Sequence, residues 1–155
     1  MTVSGKSTFD LQGFLPYLLN QAAETSSLDF QRVYKDRYGM LRTEWRVLFH
    51  LGLYGSMTAV EIVKASKMHK TKISRAVHGL MTRRFLTRTR DAVDRRVEHL
   101  NLTPQGRVAY EDLRDVARTY DEALSKRFAP DELIVLRKAL RELAQLPVVG
   151  KLKGP

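Results

Sequence analysis

Between Thr58 and Arg83 the sequence reads as two short amphipathic helices with almost nothing between them. That pair limits what can be built around it. Thr58-Ala59-Val60-Glu61 has the form of a capping box, a hydroxyl at the helix start and a carboxylate three residues on, each satisfying an orphan amide. It opens a helix to about Ala65. After the turn Ser66-Lys67-Met68, a second helix is expected from about His69 to Arg83. On a helical wheel Ile73, Val77, Leu80 and Met81 share one face. Thr71, Ser74, Arg75, His78, Gly79 and Thr82 lie opposite, with Lys72 at the margin. Neither helix can bury its apolar face alone. Two such helices joined by a three- to four-residue turn have the spacing of a helix-turn-helix.

The flanks fit that nucleus. Leu11, Phe14, Leu15, Leu18, Leu19 and Ala22 recur at helical spacing, with Pro16 suited to a first turn, so a helix is expected from near Leu15 to about Tyr34. Thr43 can cap a second helix, Glu44 to Leu51, which the glycines Gly52 and Gly55 end. Leu86 to Arg90 and Val97 to Leu102 read as two β-segments around the polar loop Asp91 to Arg96, a hairpin. Thr103-Pro104 is a cap followed by proline at the first helical position. The helix it starts can reach Phe128, longer than a small domain needs. Pro130-Asp131-Glu132 starts a last helix whose Leu133, Leu136, Leu140 and Leu143 form a 3-4-3 seam for helix docking, ended by Pro147. The expected class is mainly α with a small β-hairpin.

Charge is concentrated on the same nucleus. The chain carries a net +10, and the segment Lys64 to Arg96 holds eleven basic and two acidic residues, so +9 of that excess lies there. A block this concentrated within a foldable segment is the electrostatic footprint of a polyanionic partner rather than a scattered solvated surface. With no cysteine, disulfides, thiolate metal sites and thiol redox sensing are excluded. No apolar run approaches a membrane span and MTVSGKSTFDLQ has no secretory core, so a cytoplasmic protein is expected. Gly5-Lys6-Ser7 lacks the first glycine and the strand of a phosphate-binding loop, and Asn101-Leu102-Thr103 carries no meaning in an unsecreted chain. His50, His69, His78 and His99 have neither i, i+4 spacing nor a carboxylate cluster. No metal and no cofactor are therefore expected, and no enzymatic constellation is legible.

The ordered pieces Phe14-Leu15-Pro16-Tyr17, Glu44-Trp45-Arg46-Val47-Leu48, Lys72-Ile73-Ser74-Arg75-Ala76-Val77, Asp94-Arg95-Arg96 and Leu100-Asn101-Leu102-Thr103-Pro104-Gln105-Gly106 together resemble the MarR family of bacterial transcriptional regulators, over about residues 11 to 110. The resemblance implies a winged helix-turn-helix and a homodimer built from the first and last helices. It also implies a pseudo-palindromic double-stranded DNA operator, usually repressed until a small ligand releases it. It carries the recognition helix onto Lys70 to Arg83 and the wing onto Leu86 to Leu102. Arg95 would enter the minor groove, while Asp94 would brace the wing arginines. The chain departs from the pattern at His69, a weak cap, and at Gly79, expected on the exposed face.

The residue chemistry agrees. Thr71, Lys72, Ser74 and Arg75, with Lys70 beside them, supply the short polar and basic side chains that reach phosphates and base edges; Arg95 and Arg96 suit a narrow minor groove. Arg75 can read a guanine or hold a phosphate. For an effector, expected to be an aromatic or otherwise apolar acid or thioester, the candidates are Tyr17, Trp45, Phe49 and His50, with Arg46 to pair a carboxylate; core or dimer contacts are the alternative. Leu133, Leu136, Leu140 and Leu143 are the dimerisation candidates. The organisation expected is a dimerisation region at 10–40 and 104–147, a DNA-binding domain at 41–103 and flexible termini at 1–9 and 148–155. The competing readings are a dimeric interaction module or an RNA-binding winged helix. Lys70 to Arg84 offers no stacking aromatic except His78, which counts against RNA.

Overall fold

The computed structural model describes residues 8–146. The elements run α1 (Leu15–Tyr38), α2 (Arg42–Tyr54), β1 (Met57–Thr58), α3 (Ala59–Ser66), α4 (Lys70–Thr82), β2 (Leu86–Arg90), β3 (Glu98–Leu102), α5 (Pro104–Ser125) and α6 (Pro130–Ala144). The chain divides into two units, Met1–Val116 and Ala117–Pro155. The end expected at Pro147 and the terminus from 148 onward lie outside the described residues. At the other end Phe9, expected in a loose terminus, packs edge-on against Phe14.

In the first unit, helix α1 runs one turn beyond the expected Tyr34 and stops where Gly39 takes a left-handed φ of 63°. A glycine bears that conformation without a Cβ clash, and its amide returns to the Lys35 carbonyl. The cap of α2 differs from expectation. Thr43 lies inside the first turn; Leu41 is the cap residue, and its amide is satisfied by the Glu44 carboxylate at 3.0 Å. The capping box of α3 forms as read, with the Glu61 amide donating to Thr58 Oγ1 at 3.2 Å and the Thr58 amide to Glu61 Oε1 at 3.3 Å.

Met57–Thr58 was not legible as a strand. It pairs antiparallel with β3, Met57 opposite Leu100 and Thr58 opposite His99, and makes a three-stranded sheet in the order β1-β3-β2. Two residues carry no period-2 signal, and only the neighbouring strand makes them one. The β2–β3 hairpin has Leu86 opposite Leu102 and Arg90 opposite Glu98. The core gathers Tyr34, Met40, Val47, Leu48 and Leu51 with Ile62, Ile73, Leu80, Leu100 and Leu113, each no more than 2% exposed.

Gly106, the last residue of the quoted Leu-x-Leu-Thr-x-x-Gly run, has a steric reason to be glycine. A Cβ there would stand 2.0 Å from the Phe85 carbonyl oxygen, which already accepts the Thr103 amide at 3.0 Å. Thr103 Oγ1 caps α5 through the Gly106 amide at 2.9 Å.

The second unit contains the end of α5 and all of α6. Arg137 on α6 donates to Asp121 and Ser125 on α5, both at 3.1 Å. Ile134, Val135, Leu136, Leu140, Leu143 and Leu146 are exposed, and Leu133 is half-buried.

Candidate nucleic-acid interface

The recognition candidate α4 has a sharply divided surface. Ile73, Ala76, Val77 and Leu80 are buried, while Lys70, Thr71, Lys72, Ser74, Arg75 and His78 are exposed. Its 13 residues make a rod of about 20 Å, enough to lie along a major groove. Lys70, Lys72 and Arg75 form no ion pair with another described residue, so their charge is available to an outside anion. His69 caps better than its residue type suggests: its ring Nδ1 accepts the Thr71 amide at 3.2 Å.

Two residues at the far end of α4 do not belong to the outward face. Gly79, expected there, is half-buried and faces Glu44: a Cβ would come within 2.6 Å of Glu44 Oε2. Arg83, counted with the basic block, turns inward. Its Nε donates to Glu44 Oε2 at 3.1 Å and one terminal nitrogen to Oε1 at 3.4 Å; the other reaches the Tyr38 carbonyl at 3.2 Å. Glu44 is 2% exposed. One ion pair thus ties the end of the recognition helix to the start of α2 and the end of α1. A wheel drawn from the sequence cannot show this, because Glu44 lies 39 residues away.

The wing turn, Asp91 to Val97, is built on two carboxylates. Asp91 Oδ2 accepts the amides of Val93 and Asp94 at 3.0 and 2.9 Å, and its Oδ1 accepts His99 Nε2 at 3.0 Å. The Asp94 amide, then His99, then the Val93 amide hold the Asp91 carboxyl at about 2, well below the ordinary carboxylate range. Asp94 accepts the amide and the Nε of Arg96 at 3.1 and 3.2 Å. Arg95 between them is exposed and makes no ion pair with a described residue. The two arginines therefore differ: Arg96 is braced and Arg95 is free. On the strands Arg88 pairs with Glu98 at 3.2 Å. Asp91 and His99 were missed by the sequence reading, because an aspartate opening a turn and a lone histidine eight residues away give no signal until the hairpin joins them.

The effector candidates are partly assembled. Trp45 and Phe49 on α2 stack edge-on at 5.2 Å and share an aromatic cluster with Phe30 and Tyr34 of α1 and Tyr110 of α5. Arg46 lies over the Trp45 ring at 5.9 Å, and His50 Nδ1 is bound to the Arg46 carbonyl at 2.6 Å. Tyr17 is not among them. It stands thirteen positions before Phe30 on α1, about 20 Å along the axis. None of the five lines the cavity of about 360 Å³ that lies between α3, α4 and the sheet, bounded by Val60, Val63, Lys64, Lys70, Ile73, Ser74, Val77 and Leu100 among others.

At the end of α1, burial first and then the Asp112 carboxylate push the Tyr38 hydroxyl up to about 12. Its hydrogen bond, 2.6 Å long, followed by Arg37 at 2.8 Å, holds the Asp112 carboxyl below its ordinary range. This ties α5 to the last turn of α1. Among the described residues no group of His, Asp and Glu is placed to hold a metal ion, and no helix is long and apolar enough to cross a membrane.

The MarR family model matches residues 38–97, which span α2 to the wing turn. A solved MarR family transcriptional regulator from Silicibacter pomeroyi DSS-3 is 30% identical, with a TM-score of 0.74 over 88% of this chain and 97% of that one. The chain belongs to the MarR family of transcriptional regulators. Its winged helix-turn-helix is that of the family: α3 and α4 with the β2–β3 wing. BpsR of Bordetella bronchiseptica, whose DNA binding is regulated by 6-hydroxynicotinic acid, shares the fold at 23% identity, with a TM-score of 0.82 over 90% of this chain and 99% of that one. MarR from E. coli, solved as a mutant complexed with operator DNA, shares it at 20% identity and 0.74, over 86% of this chain and 94% of that one. No curated protein matches the sequence of this MarR-family chain. MarR-family regulators are in general DNA-binding proteins.

Proposed function

We propose that this MarR-family regulator is a homodimeric repressor that binds a pseudo-palindromic operator and is released by a small organic acid. The observation that carries the DNA reading is the split surface of α4, where one face is sealed in the core and Lys70, Thr71, Lys72, Ser74 and Arg75 stand free on the other. Arg75 is the candidate for a base edge and Lys72 for phosphate. Arg95 is the candidate for the minor groove, whose negative potential favours an unpaired arginine, while Arg96 approaches with its charge offset by Asp94.

The dimer reading rests on apolar surface. The α6 stripe Leu136, Leu140 and Leu143 is 36–43% exposed and carries the seam spacing, and Leu15 and Leu18 of α1, with Phe14 just before it, are likewise exposed in the single chain. A second copy is the occupant that the family implies. The domain reading follows: residues 10–40 and 104–147 for dimerisation and 41–103 for DNA.

An aromatic acid as effector is supported by the aromatic cluster around Trp45 and Phe49, with Arg46 as the cation, and by the regulation of BpsR by 6-hydroxynicotinic acid. To change operator affinity 10–100-fold, such a ligand needs only about 1.4–2.8 kcal/mol of preference between two dimer states.

The test starts from a duplex selected by the protein from a random-sequence pool. The expected result is two half-sites about 10 bp apart and an affinity that falls roughly a thousandfold between about 50 and 200 mM salt. A flat salt response or no sequence enrichment refutes the operator reading. Leu136→Asp with Leu140→Asp is expected to give a monomer in sedimentation that no longer binds. Aromatic acids are then scored for both thermal stabilisation and duplex release, and failure of a broad panel on both counts refutes the effector reading.

A further inference from the structure

We propose that Asp91 and His99 form a positioning pair that sets the wing turn and so presents Arg95 to DNA; the proposal rests on the wing reading above. Three donors converge on one carboxylate: two successive turn amides and an imidazole from the far strand of the hairpin. An aspartate that accepts the amide two residues on builds a turn by itself. The third contact is the unusual one, because it closes the loop onto β3 and fixes the turn relative to the sheet.

The pair has defined hydrogen-bond logic. Asp91 is ionised down to about pH 2, so it only accepts, and His99 Nε2 must carry the proton. The second proton of an imidazolium puts a positive charge on the donor as well, which strengthens the bond further. Other charged and titratable groups on the flanking elements are engaged elsewhere or untouched by the ring. Arg88 pairs with Glu98, and Glu61 binds Thr58, the β1 register partner of His99. Arg90 follows on β2 and stands opposite Glu98 in register. On α2, His50 is bound to the Arg46 carbonyl and Tyr54 lies 6.0 Å from the His50 ring. Asp94 and Arg96 are bound to each other. Among the described residues Asp91 is the charged group that the His99 ring touches.

Asp91→Asn inverts this logic and gives the test. The introduced amide oxygen still accepts the two turn amides, but its NH2 group now faces His99 Nε2. A neutral ring can change tautomer and accept; an imidazolium cannot, because both nitrogens donate. As pH falls the wild-type contact strengthens, while the same contact in the variant fails. The measurement is the affinity for a labelled duplex selected by the wild-type protein, for wild type and Asp91→Asn, from about pH 8 to about pH 5.5, where imidazole titrates. His69 and His78 on α4 are the same in both proteins, so their contribution cancels in the ratio.

The expected ratio is within about threefold at the alkaline end and grows to about tenfold against Asp91→Asn at the acid end, the size of one charged hydrogen bond. His99→Gln, whose amide can donate to Asp91 at every pH, should flatten the wild-type side of this dependence. In an Arg95→Ala background the ratio should fall toward one, because the turn then presents only Arg96, whose charge Asp94 offsets. A pH-independent ratio, or one unchanged without Arg95, overturns the positioning role. An Arg95→Ala protein that binds with full affinity overturns the wing-arginine reading itself and the proposal with it. Thermal unfolding of each variant separates a lost wing from a lost fold.

Discussion

Replacing Arg83 by methionine keeps much of the side-chain length and removes the guanidinium from Glu44. The carboxylate is 2% exposed and keeps one donor, the Leu41 amide at 3.0 Å, together with its place in the first turn of α2, where a negative charge is favoured. Removing one partner of a fully buried pair costs about 3–5 kcal/mol because the other charge stays desolvated. Here the Arg83 side chain is 33% exposed, so water can follow it in, and the figure is to be roughly halved, to about 2 kcal/mol. The Tyr38 carbonyl loses a donor as well, at the end of α1. For a chain of this size about 2 kcal/mol corresponds to a fall in Tm of roughly 4–8 °C.

The reciprocal change, Glu44→Leu, leaves a guanidinium that can reach solvent and should cost about 1 kcal/mol, mostly the lost Leu41 cap. The double variant removes both charges together and should cost clearly less than the sum, with a coupling of about 1–2 kcal/mol. The assay is urea denaturation of the four proteins at one fixed chain concentration, since a dimer's stability depends on it. Strict additivity, or an Arg83→Met protein within about 0.5 kcal/mol of wild type, would refute the claim that this pair locks α4 to α1 and α2.

Three further changes test neighbouring arguments. Gly106→Ala should lower stability by about 2 kcal/mol or more in the same assay, because the added Cβ meets a backbone carbonyl that cannot swing aside; a neutral result would mean that α5 can shift freely against Phe85. Gly79→Ala gains roughly 1 kcal/mol of helix propensity but pushes the Glu44 carboxylate off Arg83. It should therefore be net destabilising in the wild-type background and turn stabilising with Glu44→Leu. Asp112, held below its ordinary range in the folded chain, contributes stability that is complete above the ordinary carboxylate range and is lost as pH falls through its lowered value. Asp112→Asn should accordingly narrow the loss of Tm on acidification, and an unchanged pH profile would refute the role of the Tyr38 and Arg37 contacts.

What the sequence determined by itself was whatever depends on near neighbours. The capping box of Thr58 and Glu61, the turn at Lys67, the apolar face through Ile73, Val77 and Leu80, and the hairpin after Leu86 each rest on spacings of a few residues, which periodicity and capping chemistry report directly. The concentration of charge between Lys64 and Arg96 was visible for the same reason. The tertiary structure decided how that charge is used. It withdrew Arg83 onto Glu44, paired Arg88 with Glu98 and Arg96 with Asp94, and left Lys70, Lys72, Arg75 and Arg95 free of ion pairs with other described residues. It turned Gly79 from an apparent defect on an open face into the space that a buried carboxylate occupies, and made a two-residue strand of Met57–Thr58 by setting it beside β3. Pairings between residues 39, 41 or 43 positions apart are fixed by packing, and a wheel or a propensity scale sees only what lies within a few turns of the chain.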